Sequence, residues 1–564
     1  MPKLGLKTLA FLLVPLLTFG CAGPSRSAEP GSGQPAAQAG PKRLTAAIQG
    51  SPPIVFQPAN LTDSPRGVSE ITRMLHASLT IVDTNGEMHP MLAESVPTTE
   101  NGGWKVFPDG TMETTYRIRQ GVEWHDGVPL TTDDLLFTYL VVSDRTAMPA
   151  FRDPAFDAIS RIDATDNRTI VVHWKQPFIR ASEIWHGNPF IMPKRILDGQ
   201  YDGQESLLRH PYFAQEFVGL GPYKLKEWNV AVQYIVEAND RYILGRPKID
   251  EIVIRTIADT NTIAASLLSG STDIVLGRAL SLDHIILLKE RWPEGRTLTP
   301  LVSLMRNEPQ FVNPDPVIVA NRDFREAYYR LIDRDLLAES IQSGIVPAAD
   351  HHIDPGEHEY QATLSSVVKY PYDPRRATQL LEGLGHTKGP NGIYRDASGK
   401  ELRVENRATS GDINPKTMFA VADMVQQGGI GVDAVVIPEQ MISDNEYRSN
   451  FPAMTTNGGG TSAIVERYHS NQARTAENRY AGNNRSRYSD PQLDALIDRY
   501  KVTVPVAERM QYASEIVRIV TQNLVVMPLF WDTWPGVQTN RLQNASAASS
   551  GGAAAWNVHQ WDIR

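Results

Sequence analysis

The sequence predicts an α/β protein with two or three lobes, and two observations support this fold class. Strand-like and helix-like segments alternate along the chain, which is typical of α/β lobes. At 564 residues the chain is too long for one hydrophobic core, because single cores stop growing at about 250–300 residues. With 41% hydrophobic and 8% aromatic residues, the composition is that of an ordinary globular protein.

The N-terminus has the layout of a secretory signal, with Lys3 and Lys7 before an apolar run from Leu9 to Phe19. That run is too short to span a bilayer, since a transmembrane helix needs about 20 apolar residues. It ends at Gly20-Cys21, and Cys21 is the chain's single cysteine. The sequence therefore permits no intramolecular disulfide and no metal site built from cysteines.

Residues Leu17-Thr18-Phe19-Gly20-Cys21 resemble a bacterial lipobox, in which the cysteine is diacylated and the chain is cut before it. The resemblance implies a signal peptide over residues 1–20, a lipid anchor at Cys21 and an extracytoplasmic location, in the periplasm or at the cell surface. Ala22, where an inner-membrane retention signal would place Asp, favours sorting to an outer membrane. The alternative is ordinary secretion, with cleavage after Ser27.

Residues 21–41 are rich in Ala, Gly, Pro and Ser and nearly free of large apolar side chains, which predicts a flexible tether. The folded body is expected to begin near Lys42. The formal net charge is −9, and the chain contains no run of basic residues that would form a phosphate-binding stripe. Nucleic acid is therefore not an expected partner.

In the body, β-branched and aromatic residues predict strands at 169–174, 234–237, 249–257 and 432–437. Apolar residues at helical spacing predict helices at 322–341, 373–385 and 505–523. The second of these helices has the clearest start, because Asp373 is a suitable N-cap and Pro374 suits the first helical position.

The stretch GVEWHDGVPLTTDDLLF, residues 121–137, gathers five ionisable side chains and raises the question of a catalytic or metal site. Its local pattern predicts a structural role instead. Asp126-Gly127 is a turn pair, Thr131 is a good N-cap, and Asp133 and Asp134 suit the positive end of a helix. The other two ionisable residues are Glu123 and His125.

The same stretch resembles the signature of the family 5 extracytoplasmic solute-binding proteins, the peptide and nickel group that serves ABC importers. The family positions are filled here by Arg119, Gly121, Trp124, Asp126-Gly127, Pro129 and Thr131. Further blocks resemble the family in order, among them HASLTIVDTNGEMHPMLAES (76–95), GLGPYKLKEW (219–228), RDFREAYYRLIDRDLLAESI (322–341) and VVMPLFW (525–531). Together these blocks span nearly all of the chain after the tether.

The resemblance implies a periplasmic-binding-protein fold of type II-like form, three-lobed, with a ligand cleft between two α/β lobes. The expected division places lobe I at 42–78, 216–300 and 525–564, lobe II at 79–215 and lobe III at 301–524. Lobe closure is then a population shift, because the ligand binds the closed state better than the open one.

The resemblance also implies a monomeric binding protein without a cofactor, which delivers a peptide or similar small solute to the permease subunits of an ABC importer. An enzyme is not expected, since the sequence has no HExxH, GxSxG or P-loop motif. The alternatives are a receptor for a non-peptide solute, such as a sugar or a nickel complex, and a receptor for signalling.

In peptide-binding members an Asp of the far lobe pairs with the N-terminus of the peptide. The matching segment here is FPAMTTNGGGTSAIV, residues 451–465, with Gly458 at the family's Trp position and Thr461 at its Asp position. An enclosed ammonium without a partner is costly, so either another carboxylate substitutes or the ligand lacks a free α-amino group. The candidate carboxylates are Asp444, Glu446 and Glu466.

Gly458, Gly459 and Gly460 are expected either to admit a bulkier ligand to the backbone or simply to form a loop. Other contacts are expected from loop positions, where hydroxyls donate, guanidinium groups clamp carboxylates and indoles stack on rings or fill a core. These candidates are Arg66, Thr409, Ser410, Asn457, Asn484, Arg485, Trp531 and Trp534.

The best metal candidates are His351, His352 and His358 in DHHIDPGEHEY, residues 350–360. The adjacent His351 and His352 point apart in an extended chain, and a surface loop of this composition is usually solvated. No metal site is therefore predicted.

Overall fold

The computed structural model describes most of the chain after residue 39. The described ranges are 40–52, 67–83, 86–144, 147–148, 154–186, 190–277, 279–411, 413–442, 444–460, 464–533, 535–546 and 553–564. Cys21, Arg66, Thr461 and Trp534 lie outside these ranges, as do the expected signal peptide and nearly all of the expected tether. Residues Pro41–Arg564 form one compact unit. No helix in the described ranges is long and apolar enough to cross a membrane.

The first sheet has seven strands, in the order Gly295–Leu298, Gly536–Thr539, Ile274–Val275, Arg43–Ile48, Glu251–Thr256, Gln233–Ala238 and Tyr223–Asn229. Its central strand, Arg43–Ile48, runs parallel to both of its neighbours. The strand is apolar on both faces, as parallel strands between two layers must be. Ala47 packs under helices Thr260–Leu268 and Leu282–Arg291, whereas Ala46 and Ile48 belong to the core that includes helix Val68–Leu75.

The second sheet is antiparallel and has four strands, in the order Trp104–Val106, Met112–Arg117, Thr169–Trp174 and Ile159–Ala164. Alternate residues of Thr169–Trp174 are buried, and the segment forms the strand predicted from its β-branched and aromatic residues. Helix Thr132–Ser143 begins after Thr131, whose N–H donates to Asp134 Oδ2 at 3.2 Å. The structural role predicted for Asp134 is thereby confirmed.

Two of the sequence blocks meet at His125. Its backbone N–H donates to Gly219 O at 2.9 Å, its Nδ1 accepts from Gly219 N at 3.1 Å, and its Nε2 lies 3.1 Å from Gly221 O. A Cβ on Gly219 would lie 1.8 Å from Leu75 O, and one on Gly221 would lie 2.4 Å from the His76 backbone nitrogen. Only glycine fits at these two positions, because the backbone of the preceding helix end occupies the space.

The third sheet has five strands, in the order Gly431–Ile437, Arg403–Thr409, Met454–Gly459, Leu301–Pro309 and Met527–Thr533. Its last strand corrects the expected division of the chain, which put residues 525–564 in lobe I. Met527–Thr533 pairs with Leu301–Pro309 inside the third sheet, and only the following strand, Gly536–Thr539, joins the first sheet. Strand 527–533 is buried throughout, so it requires the sheet neighbour and helical cover that this position supplies.

The chain passes between the first and third sheets twice, at adjacent places. Leu298 pairs with Gly536 in the first sheet, and Leu301 pairs with Thr533 in the third. Thr533 Oγ1 also donates to Pro300 O at 2.7 Å. The two passages therefore lie side by side and are bonded to each other.

The third sheet is packed by helices Arg322–Arg330, Arg334–Gln342, Pro374–Gly383 and Ile413–Gln427, and a separate core forms around helices Pro491–Val502 and Val506–Gln522. Short helices complete the chain at Pro154–Ala158, Lys194–Leu197, Gln204–Arg209, His358–Thr363, Asn445–Ser449 and Ile464–Arg467. Short strand pairs in the described ranges are Thr80–Val82 with Met88–Pro90, Thr387–Lys388 with Tyr394–Arg395, and Leu542–Gln543 with Asp562–Ile563.

Candidate ligand-binding site

One face of the third sheet is polar and carries several of the expected ligand contacts. Asn457 pairs with Arg306 across antiparallel strands, so their side chains share this face. Thr409 joins them, because its N–H and its hydroxyl lie 3.2 and 3.0 Å from Asn457 Oδ1. Asn414 Nδ2 donates to the same hydroxyl at 2.8 Å. The structure thus brings Thr409 and Asn457 together, and half-buried Ser410 follows Thr409 at the strand end.

The three glycines of the run differ in their surroundings. At Gly458 a Cβ would lie 2.7 Å from Met305 Sδ, and the Gly458 N–H donates to Asn414 Oδ1 at 3.0 Å, so protein atoms fill the expected ligand space. At Gly459 a Cβ would lie 3.0 Å from Arg306 Nη2. At Gly460 no described atom lies within 4 Å of a Cβ. Room beside the backbone is therefore found at Gly460 and not at Gly458.

An ion pair that the sequence analysis missed lies on the same polar face. Arg306 and Glu308 alternate along strand Leu301–Pro309, so both point to one side, with Nε 3.5 Å from Oε1. The two residues are only 4% and 1% exposed. Charged residues at alternate positions of LMRNEP are a readable signal, because a period of two places them on one face of a strand.

Further guanidinium groups gather at this ion pair. Arg467 Nη2 donates to Gly460 O at 3.3 Å, next to Gly459 O, which accepts from Arg306 Nη1 at 3.4 Å. Arg485 is placed beside the end of the strand, because the Phe311 N–H donates to Ser486 O at 3.1 Å. We call Arg306, Arg467, Arg474 and Arg485 the arginine cluster.

Burial and the neighbouring guanidinium groups lower the pKa values of Arg467, Arg474 and Arg485. Burial lowers the pKa of Arg485 to about 9 and that of Arg467 to about 10. Burial alone would raise the pKa of Glu308, but the surrounding arginines hold it below its usual value. Those arginines are Arg306, Arg485, Arg467 and Arg474. The site is therefore positively charged around one ionised carboxylate.

His352 and Tyr468 border the arginine cluster, with ring centroids 6.1 Å apart. Neither ring nitrogen of His352 nor the Tyr468 hydroxyl has a hydrogen-bond partner in the described part of the chain, and both residues are fully buried. Burial, with the charges of Arg467 and Arg306 among the further causes, takes the His352 pKa well below its usual value. This imidazole is therefore neutral near pH 7.

The other two histidines of this segment, His351 and His358, do not border the arginine cluster as His352 does. His351 Nδ1 accepts from the Ile353 N–H at 3.0 Å, and its Nε2 lies 2.8 Å from Thr363 Oγ1, whereas His358 is exposed at a helix start. Over the described ranges, the one group of side chains spaced to hold a metal is in the hairpin after residue 79, with ligand atoms within 4.8 Å of one another. Its members are Asp83, Glu87 and His89.

Asn484 and Trp531, which were expected to contact the ligand, are buried in the protein. Asn484 is fully buried, where its Nδ2 donates to Tyr488 O at 2.8 Å and its Oδ1 accepts from Tyr488 N at 3.2 Å. Trp531 is 3% exposed and borders a cavity of about 350 Å³ that His351 and Tyr360 also line. Asn484 thus holds a loop together, while the neighbouring Arg485 belongs to the arginine cluster.

The carboxylates considered as substitutes for the missing peptide anchor already have partners. Asp444 caps helix Asn445–Ser449 by accepting from Tyr447 N at 2.9 Å, and Glu446 accepts from the Tyr480 hydroxyl at 3.0 Å. Glu466 lies 3.9 Å from Arg180 Nη2. Glu308, in contrast, pairs with a member of the arginine cluster, Arg306.

The segment 79–215 contacts the segment 301–524 beside the arginine cluster. The Ile179 N–H donates to Lys501 O at 3.1 Å. Arg180 faces Glu466 at 3.9 Å, and the next residue, Arg467, turns to Gly460 O. One short helix, Ile464–Arg467, therefore links the contact between the segments to the polar face.

Comparison with known proteins identifies similar chains over most of this length. The family of bacterial extracellular solute-binding proteins, family 5 (middle region), matches residues 87–476. The oligopeptide-binding protein AppA of Bacillus subtilis is 25% identical over 536 residues, covering 92% of this chain and 91% of AppA.

Two solved structures have similar folds. The structure of AppA from Bacillus subtilis with a nonapeptide aligns with a TM-score of 0.71 at 20% identity, over 93% of this chain and 100% of AppA. The crystal structure of NikZ from Campylobacter jejuni with Ni(L-His) aligns with a TM-score of 0.72 at 19% identity, over 92% and 99% of the two chains. Both confirm the expected fold class.

Proposed function

The chain belongs to family 5 of the bacterial extracellular solute-binding proteins, and from this premise we propose that it captures a peptide or similar small solute for an ABC importer. The observation that carries the proposal is the polar face beside the contact between segments 79–215 and 301–524. A solute that touches both segments favours the closed arrangement, which a permease can then recognise. This function requires enclosure and release, and no bond in the solute needs to break.

The second candidate is a non-peptide solute, such as a metal chelate, taken up by the same route. It is favoured by the charge of the site, since the carboxylate nearest to the cluster, Glu308, is surrounded by arginines. A peptide ammonium would approach that carboxylate against their repulsion. Similar structures include NikZ in complex with Ni(L-His) and NikA from Brucella suis in complex with Fe(III)-EDTA. Both of these ligands are metal chelates.

We further propose that the protein is a monomer held to the membrane by a lipid on Cys21, with residues 21–41 as its tether. The single cysteine at the end of the apolar run supports this attachment. Metabolic labelling with palmitate should mark the protein, and Cys21→Ala should abolish the label and release the protein into the soluble fraction. An unlabelled protein that stays with the membrane would contradict the anchor.

Native mass spectrometry tests the capture of a solute. The purified protein is exposed to an extract of the host's growth medium, freed of excess solute and weighed. We expect a stoichiometric bound mass; fragmentation into amino acids indicates a peptide, and any other fragmentation indicates the second candidate. A protein that gains no mass from any host extract would overturn the proposed function.

A further inference from the structure

We propose that the captured solute carries a carboxylate or phosphate group, and that Arg306, Arg467 and Arg485 receive this group beside Gly459 and Gly460. The inference rests on the proposed function, because it names the chemical class of the solute for the same site. The family resemblance implies a negatively charged Asp that binds a positively charged ammonium group. Here the protein side is positively charged and the group of the solute is negatively charged.

The balance of charge is the first argument. Four guanidinium groups face the single carboxylate of Glu308 within the described part of the site, and Arg306 and Glu308 are almost entirely buried. The other three guanidinium groups are half-buried, and like charges at such positions still repel, so a further negative charge stabilises this arrangement. An anionic group of the solute supplies that charge, and arginine binds carboxylate and phosphate groups through paired hydrogen bonds.

The unused hydrogen-bonding groups are the second argument. The Nε atom of Arg485 and the Tyr468 hydroxyl have no hydrogen-bond partner among the described residues, and Arg306 Nε has only its 3.5 Å approach to Glu308 Oε1. Each of these groups carries a proton to donate. His352, neutral and fully buried, can donate from one of its two unpartnered ring nitrogens. Beyond the Glu308 carboxylate, these donors lack an acceptor among the described residues, and an oxyanion of the solute supplies one.

Access is the third argument. Arg306 and Arg467 converge on the successive carbonyl groups of Gly459 and Gly460, and no atom of the described residues lies within 4 Å of the place where Gly460 lacks a side chain. A solute can therefore reach both guanidinium groups along the end of strand Met454–Gly459. The neighbouring helix Ile464–Arg467 carries the contact with Arg180, so an anion bound here lies next to the closure contact.

The test uses the solute that the protein captures from growth-medium extract. The released solute is divided into three parts: one untreated, one methylated with acidic methanol to esterify its carboxylates, and one treated with phosphatase. Each part is offered again to the solute-free protein, and its affinity is measured by titration. Loss of at least tenfold affinity on esterification indicates a carboxylate, and the same loss with phosphatase indicates a phosphate. Retention of full affinity after both treatments overturns the inference.

Variants separate charge recognition from a steric effect of the added methyl groups. In Arg485→Met the ratio of affinities between untreated and treated solute should shrink at least fivefold, while in Arg499→Met, an exposed helix position, it should stay unchanged. Arg467→Met is the second variant, and each variant is first checked for cooperative unfolding. An unchanged ratio in both folded cluster variants contradicts the inference. A protein that captures nothing from untreated extract instead contradicts the proposed function itself.

Discussion

His125 and Gly219 exchange two hydrogen bonds, one from the His125 N–H to Gly219 O at 2.9 Å and one from the Gly219 N–H to His125 Nδ1 at 3.1 Å. Because Nδ1 accepts, the proton of the neutral ring is on Nε2, which faces Gly221 O at 3.1 Å. Burial lowers the pKa of His125 to about 4, so this neutral form persists at physiological pH. The imidazole therefore has a structural role, which is to hold the segment around Gly219 in place, and it is not a catalytic base.

Removing this imidazole should destabilise the protein. We expect His125→Ala to lower the free energy of unfolding by about 1–3 kcal/mol, because the buried N–H of Gly219 loses its acceptor. Denaturant unfolding followed by fluorescence measures the change. His358→Ala, at an exposed histidine, serves as the control and should change the free energy of unfolding by less than about 0.5 kcal/mol. Equal effects of the two variants would contradict the assigned role.

The Glu308 carboxylate should be essential to stability because it faces the arginine cluster. We expect Glu308→Gln to lower the free energy of unfolding by about 3–5 kcal/mol, since breaking a buried ion pair leaves uncompensated charge. The measurement is denaturant unfolding of the solute-free protein. Glu446→Gln, at an exposed position, should have little effect. A Glu308→Gln protein as stable as the parent would show that water or other groups already neutralise the cluster.

Stability should fall as the pH rises, through the titration of Glu357. Burial, then the carboxylates of Glu359, Asp354 and Glu183, raise its pKa to about 8. The folded state therefore holds a proton that the unfolded state releases near pH 4.5, the ordinary range of a glutamate. This contribution to stability is complete below pH 4.5 and is lost as the pH rises through about 8.

Thermal melts between pH 5 and pH 9 measure this dependence. Glu357→Gln should flatten the decline, because the amide does not ionise, whereas exposed Glu382→Gln should leave the decline as it is. Glu183 belongs to segment 79–215 and Glu357 to segment 301–524, so the same titration should weaken the contact between the two segments at high pH. Identical pH profiles in parent and Glu357→Gln would refute this account.

Two adjacent asparagines should differ sharply in their effects. Asn484 is fully buried and bonded to the backbone of Tyr488, whereas Asn483 is exposed. We expect Asn484→Ala to cost about 1–3 kcal/mol of folding free energy, because backbone groups are left unsatisfied. Asn483→Ala should be nearly neutral in the same unfolding measurement. If Asn484→Ala reduces solute affinity and leaves stability intact, Asn484 is a ligand contact after all.

Alanine substitutions at Gly458 and Gly460 should have different effects, the first on stability and the second on solute affinity. Gly458→Ala places a methyl group 2.7 Å from Sδ of the buried Met305, so we expect a loss of about 1–3 kcal/mol in stability. Gly460→Ala meets no atom of the described residues within 4 Å, so it should fold normally but reduce the affinity for the captured solute. Unfolding and titration of both variants check this contrast. A stable Gly458→Ala protein would mean that Met305 has room to move.

Local signals in the sequence predicted many elements correctly. Helix Pro374–Gly383 begins after Asp373, whose Oδ1 accepts from Arg376 N at 2.9 Å, as the expected cap requires. The segment 322–341, predicted as one helix, is two helices, because Asp333 caps the second by accepting from Leu336 N at 3.0 Å. An Asp within an amphipathic pattern has two possible roles, and the sequence pattern alone does not distinguish them.

The site was less predictable because it depends on contacts between distant residues. Thr409 and Asn457 share one face as a result of sheet pairing, which no local pattern specifies. The arginine cluster joins residues that are up to about 180 positions apart in sequence, from Arg306 to Arg485. The resemblance that placed Thr461 and Gly458 in the site concerned an anchoring residue that this chain lacks. Arg66, Thr461 and Trp534, outside the described residues, stay predictions.

The paired passages at Leu298/Gly536 and Leu301/Thr533 connect the first sheet to the third sheet at one place. Thr533 Oγ1 donates to Pro300 O across the two passages, so a movement of one passage is coupled to the other. Residues 301–533 have the geometry of an inserted domain, because their two ends are neighbours in space. The host sheet keeps the pair Leu298 and Gly536 on either side of that insertion, so the insertion can change in sequence and size while the first sheet stays intact.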